Sequence, residues 1–220
     1  MPTRTARLLT ISSILLVSLL SVAQSGKVDP LGPLTDNAVA ETVRQSLDAK
    51  GSRLTLDDPK PYCELWFRKS VPSQSKKSDV AAYPQFAESL MVGVVHFSQD
   101  ASDYRGHKIP AGFYTLRYEL MPDDGNHLGA APNPDFLLAI PASSDPDPNA
   151  AFKFQDLVAL SAKTAGTKHP APLSLVPADK AGAANVSRDD QDHWVFSTTV
   201  KVSSGEELPI ALVVKGTAQQ

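Results

Sequence analysis

The chain has 220 residues, with 21 basic and 24 acidic side chains, a net charge of −3 and a single cysteine. Its 42% of hydrophobic residues can bury a core, which excludes global disorder. The acidic balance argues against nucleic-acid binding, and one cysteine excludes both an internal disulfide and a zinc site with two thiolates. The 18 Asp outnumber the 6 Glu, a composition that favours strands joined by turns.

Residues 1–23 have the pattern of a secretory signal peptide. Arg4 and Arg7 give the segment a positive start, and an apolar run then continues to Val22. This run is shorter than the roughly 20 residues that a membrane-spanning helix needs. We therefore predict cleavage after Ala23 rather than a retained anchor, with no membrane span afterwards. The protein is expected to be periplasmic or secreted, and we favour a bacterial source.

The remaining chain is predicted to be an extended leader over residues 24–36 followed by one domain over residues 37–220. Two peripheral helices are expected in this domain, near residues 38–50 and 150–165. Both show apolar residues at helical spacing and end before a glycine, Gly51 or Gly166. The apolar stripes are Val39, Val43 and Leu47 in the first helix and Phe154, Leu157 and Val158 in the second, where the small residue Ser161 completes the spacing.

Outside the two helices, apolar residues recur at every second position in several short segments, which indicates strands. The clearest alternation runs from Phe113 to Leu120, and the polar segment 69–89 is predicted to be a long loop. The fold class expected is therefore mainly β, an antiparallel β-sandwich of about eight strands with two peripheral α-helices. The predicted strands are 54–57, 63–68, 90–97, 113–120, 135–140, 172–176, 194–202 and 208–215.

Cys63 lies in one of these strands, on the same face as Leu65 and Phe67. An apolar strand face is a setting for a buried thiol that acts as a small hydrophobic side chain. A catalytic cysteine needs a positively charged, partly exposed environment, which no neighbouring residue supplies. We therefore predict that Cys63 is buried and unreactive.

The segment Ile109 to Arg117 contains the run Pro-Ala-Gly-Phe-Tyr-Thr-Leu. It resembles the Pro-Ala-Gly-x-Tyr-x-Leu strand of secreted transthyretin-like, carboxypeptidase-regulatory-like and Ig-like β-sandwich modules, and a similar stretch in uncharacterised exported bacterial domains. In such a strand Gly112 allows a tight turn, while Tyr114 and Leu116 point into the core. The resemblance implies a sandwich and implies no catalytic residue.

No sequence motif of a known enzyme class is present, so catalysis has to be sought in less specific groupings. His127 follows Asp123 and Asp124, a pattern in which a carboxylate could orient an imidazole for acid–base or metal chemistry. His193 follows the acidic run Asp189-Asp190-Gln191-Asp192 in a comparable way. An exposed turn with solvated charges is the alternative interpretation of both segments.

The spacing of the residues argues against two candidate metal sites. His107 and His127 flank a strand of about eight residues, which separates them by roughly 25 Å, too far to share an ion. Residues 145–149 carry oxygen ligands at alternate positions of a calcium-loop spacing. Ala150 stands where such a loop needs Gly, so a proline-rich start of a helix is favoured. We predict no metal and no cofactor.

Three aromatic residues, Trp66, Tyr83 and Tyr104, are candidates for ligand contact, since an exposed ring can pack on a sugar; core packing is the alternative. The function predicted is an exported, non-catalytic binding or envelope-associated module for an unknown extracytoplasmic ligand or protein. One alternative is a hydrolase, with or without a metal ion, that uses His127 with Asp123 and Asp124. The other is a structural or assembly factor that acts through a sheet edge.

Overall fold

The computed structural model describes residues 25–104, 106–122, 133–166, 168–178 and 181–216. These residues form twelve strands and two α-helices, with a short 3-10 turn at Ala142–Ser144. The elements in chain order are β1 (Lys27–Leu31), α1 (Glu41–Ser46), β2 (Gly51–Thr55), β3 (Pro61–Phe67), β4 (Met91–Phe97), β5 (Ala101–Ser102), β6 (Lys108–Ile109), β7 (Gly112–Leu120), β8 (Asp135–Pro141), α2 (Phe154–Ala165), β9 (Pro172–Val176), β10 (Asn185–Arg188), β11 (Trp194–Lys201) and β12 (Glu207–Lys215).

Within this described part of the chain, ten strands form one sheet in the order β1-β2-β3-β4-β7-β8-β9-β12-β11-β10, and every pairing is antiparallel. The two outermost strands approach each other where Ser25 bridges Ser187. The Gly26 amide also donates a hydrogen bond to the Val186 carbonyl oxygen at 2.9 Å. The sheet therefore curls until its two edges touch and is nearly barrel-shaped.

The predicted mainly β, antiparallel fold with two helices is confirmed, but the expected sandwich of about eight strands is not what the strands form. They are consecutive hydrogen-bonded neighbours in a single curled sheet. Alternation of apolar and polar residues reports only which face of a strand is buried. A sheet that curls around its own core and two sheets packed face to face produce the same alternation, so the sequence does not distinguish them.

The alternation of apolar and polar residues did not predict the two edge strands of the sheet, β1 and β10. β1 lies in the segment predicted to be an extended leader, contains Pro30, and pairs with β2 along its whole length. β10 has one buried apolar residue, Val186. Edge strands lack a hydrogen-bonded neighbour on one side and tolerate proline and polar residues, so their sequences carry a weak strand signal.

Both helices lie on the outside of the sheet, as predicted, but α1 is shorter than expected. It begins at Glu41 because residues 36–39 form a turn instead, with the Asp36 carboxylate accepting a hydrogen bond from the Ala38 amide at 2.8 Å. α2 ends at Gly166 in the left-handed conformation (φ 62°), as predicted. Neither of the helices in the described ranges is long and apolar enough to span a membrane.

The inner faces of the strands pack into the main core, and the predicted burial of Cys63 is confirmed by its 1% exposure there. Burial also raises the pKa of its thiol. A thiol reagent is expected to modify Cys63 only after denaturation, because the attacking thiolate is neither formed nor accessible in the folded protein.

The control for this labelling experiment moves the single thiol to the surface. A Cys63→Ala/Ser204→Cys variant carries its thiol on an exposed turn and should react at once while folded. Rapid labelling of the folded wild-type protein would contradict the burial of Cys63.

Candidate functional site

The acid–base site predicted from the sequence, His127 with Asp123 and Asp124, lies outside the described residues. Its geometry therefore supplies no argument for or against catalysis. Among the residues that the structure describes, no group of three or more His, Cys, Asp or Glu side chains is placed to hold a metal ion.

The three aromatic residues predicted as ligand contacts are all buried, so none presents an exposed platform. Trp66 packs beneath α1, and its indole nitrogen donates to the Gly32 carbonyl oxygen at 2.9 Å. The Tyr83 hydroxyl lies between β9 and β12, where it donates to one backbone group at 2.6 Å and accepts from another at 3.0 Å. The Tyr104 ring packs against His193 at a centroid distance of 4.6 Å. All three rings therefore pack in the protein interior, as the alternative interpretation has it.

Residues 145–149 do not form an open oxygen-ligand loop, because the Asp145 carboxylate is fully engaged by protein donors. It accepts two hydrogen bonds from Arg117, at 2.7 and 2.8 Å, and one from Thr115 at 2.6 Å. Arg117 and Asp145 are both 0% exposed. The remaining guanidinium hydrogens go to the carbonyl oxygens of Ser89, Ala150 and Asp147. All five donors of this buried arginine are used, which fixes the segment before α2 against the sheet.

Two short turns in the structure share one geometry, which pairs a histidine with the aspartate four residues earlier. In the first, the His107 ring nitrogen Nδ1 lies 3.0 Å from Asp103. In the second, His193 Nδ1 lies 3.2 Å from Asp189, one of the three carboxylates in the acidic run before it. In both turns the same aspartate also accepts the histidine backbone amide, at 2.8 and 2.9 Å.

The two turns also share their backbone conformation and pack against each other. Their fourth residues, Gly106 and Asp192, both have a left-handed backbone, at φ 82° and 64°. His193 is buried, and the first turn contacts the second through the ring of Tyr104. Neither histidine lines a described cavity. The sequence signal that could have revealed this repeat is the shared Asp-x-x-x-His spacing of residues 103–107 and 189–193.

A cleft of about 440 Å³ opens at one end of the curled sheet, beside the β5–β6 hairpin. Three parts of the chain meet there: the turn between β2 and β3, the segment from β4 into β5, and the end of β12. Antiparallel pairing brings them together, because the end of β4 at Phe97 lies opposite the start of β3 at Cys63. The lining residues are Leu56, Asp57, Asp58, Lys60, Tyr62, Gln99, Asp100, Ala101, Ser102 and Lys215.

Asp57 links the cleft to the neighbouring strands through two cations. Its carboxylate oxygens lie 3.0 Å from Arg188 and 3.4 Å from Lys215. Partial burial raises the pKa of Asp57, but hydrogen bonds from its own backbone and from the two cations outweigh burial and leave the pKa below its ordinary value. Asp57 therefore stays ionised and holds the ammonium group of Lys215 at the cleft.

Tyr62 is the buried polar residue of the lining. Its hydroxyl oxygen accepts a hydrogen bond from the Ser102 amide at 3.3 Å, and the Lys215 ammonium lies 5.7 Å from the centroid of its ring. Burial raises the pKa of Tyr62, so the phenol stays neutral. A neutral hydroxyl beside an ammonium group can hold a polar ligand.

A second, smaller cleft of about 230 Å³ lies at the opposite end, near the end of β7. Its charged lining residues are Lys76 and Glu88, against five charged residues in the larger cleft. Converging polar groups in a concave site are the usual mark of a small-molecule site. The larger cleft is therefore the stronger candidate.

Neither a protein-family profile, nor a curated protein, nor a solved structure matches the chain. The resemblance of residues 109–117 to transthyretin-like and related modules stays a prediction. Among the described residues, the polar cleft beside Tyr62 is the strongest candidate for a functional site.

Proposed function

We propose that the protein is an exported binding module that holds a small polar ligand in the cleft beside Tyr62. The observation that carries this proposal is the cleft itself: about 440 Å³, with five charged side chains and one buried phenol converging on it. A site of this size and polarity suits a small molecule rather than a protein surface. Export after cleavage of residues 1–23, and a single domain over residues 37–220, belong to the same proposal.

A thermal-shift screen of the purified protein with a panel of small sugars, amino acids, organic acids and phosphate esters tests this function. At least one class should raise the melting temperature, because a ligand that binds only the folded state stabilises it. The shift should shrink in Tyr62→Phe and Lys215→Met variants. It should persist in Lys50→Met, which removes a lysine at the far end of β2. A panel that produces no shift, or shifts that both cleft variants retain, would contradict the proposal.

The two alternative functions stay predictions. The hydrolase would use His127, Asp123 and Asp124, which lie outside the described residues. For the assembly factor, the sheet edges of β1 and β10 partly cover each other at the Ser25–Ser187 bridge. This contact leaves less free edge for a partner strand than an open sheet would offer.

A further inference from the structure

The carboxylates of the cleft are already engaged by other parts of the protein. Asp57 is shared by Arg188 and Lys215, and Asp100 forms an ion pair with Lys108 at 2.6 Å. Asp58 accepts the Lys60 backbone amide at 2.8 Å in the turn between β2 and β3. Two of the three carboxylates, Asp57 and Asp100, are thus neutralised by cations of the protein, and Asp58 uses one oxygen in the turn.

The hydrogen-bond donors of the cleft have few partners within the protein. The side chains of Lys60 and Gln99 have no hydrogen-bond or ion-pair partner within the described ranges. Lys215 makes a single long contact with Asp57, at 3.4 Å, which leaves further ammonium hydrogens available. The cleft therefore offers unpartnered donors, two of them positively charged groups, to a ligand that supplies acceptors.

We infer that the ligand carries a small oxyanion group, a carboxylate or a phosphate, bound between Lys60 and Lys215. Charge-assisted hydrogen bonds to such a group are about twice as strong as neutral ones, and ammonium groups suit carboxylates and phosphates alike. The paired Asp57 does not repel the anion strongly, because Arg188 and Lys215 flank it on its own side. The inference rests on the proposed function, since it names the chemistry of the ligand in the same cleft.

Calorimetric titration of the purified protein tests the inference with four probes: succinate, inorganic phosphate, glucose and putrescine. Succinate, phosphate or both should bind, and comparison of the two shows which oxyanion the cleft prefers. Binding should weaken at high salt, because exposed ammonium groups are screened. Lys60→Met and Lys215→Met should each weaken it by about tenfold, and Lys50→Met should leave it unchanged.

The outcomes separate the two proposals. If glucose or putrescine binds in the cleft while succinate and phosphate do not, the oxyanion inference is wrong and the binding function stands. Oxyanion binding that both cleft variants retain would also overturn the inference, because the anion would lie elsewhere. If none of the four probes binds, the inference is wrong, and the function then depends on the broader thermal-shift panel.

Discussion

Replacing Arg117 by methionine is expected to lower the free energy of unfolding by about 3–5 kcal/mol, the range seen when one partner of a buried ion pair is removed. The variant would leave the Asp145 carboxylate buried without its cation. It would also leave the carbonyl oxygens of Ser89, Ala150 and Asp147 without their donor. The loss of one side chain thus leaves a buried charge unpaired and three backbone carbonyl oxygens without their donor.

Urea denaturation followed by circular dichroism measures this effect. Arg53→Met is the matched control: Arg53 also pairs with a carboxylate, Glu64, but the pair is only partly buried, with side chains 43% and 19% exposed. Because solvent screens such a pair, the control should lose much less stability than Arg117→Met. Arg117→Lys keeps the charge but loses the two-pronged contact and should fall between them. Equal midpoints for Arg117→Met and Arg53→Met would contradict this account of the buried pair.

The second large effect is a pH dependence that comes from Glu119. Its side chain is 2% exposed on β7, and burial raises the pKa of its carboxyl to about 7, against an ordinary value of 4.5; the backbone amide of Leu120 opposes this shift, and nearby Glu88 adds to it. Between pH 4.5 and about pH 7, the Glu119 carboxyl is ionised in the unfolded chain but still protonated in the folded protein. The stability that Glu119 supplies is therefore complete below its unfolded pKa and is lost as the pH rises through about 7.

Glu119→Gln removes this titration and keeps the shape of the side chain. The variant should match the wild type within about 1 kcal/mol near pH 5 and exceed it by roughly 2–3 kcal/mol near pH 8. The measurement is the free energy of unfolding in urea at both pH values. Glu207→Gln, at an exposed position in β12, is the control and should gain nothing. A Glu119→Gln gain that is equal at both pH values would show that the carboxyl does not titrate between them.

The sequence predicted the strands whose alternation is strong and missed those whose burial depends on distant segments. β7, β11 and β12 could be located because they carry regular apolar faces. β1 and β10 could not, because edge strands need few apolar residues. The closure of the sheet was also out of reach, since curling depends on twist and on contacts between chain ends, not on the pattern within a strand.

Arg117 illustrates why the buried polar face of β7 could not be predicted. The sequence shows that Thr115, Arg117 and Glu119 share a face, which is normally the solvent side. Whether that face is covered depends on the segment before α2, about thirty residues later. The cleft has the same origin, because it combines residues from three separate segments, and none of those segments carries a motif. In contrast, the repeated Asp-x-x-x-His turns could have been found by comparing residues 103–107 with 189–193.

The central claim is that the cleft beside Tyr62 binds a small ligand, and mapping of backbone amide shifts by NMR tests it most directly. Addition of succinate or phosphate should move the amide signals of residues 56–60, 62, 99–102 and 215, and these shifts should vanish in a Lys60→Met/Lys215→Met variant. Shifts confined to the opposite end of the sheet, around Glu88 and Tyr118, would contradict the account. So would a spectrum that no small polar compound of the panel perturbs.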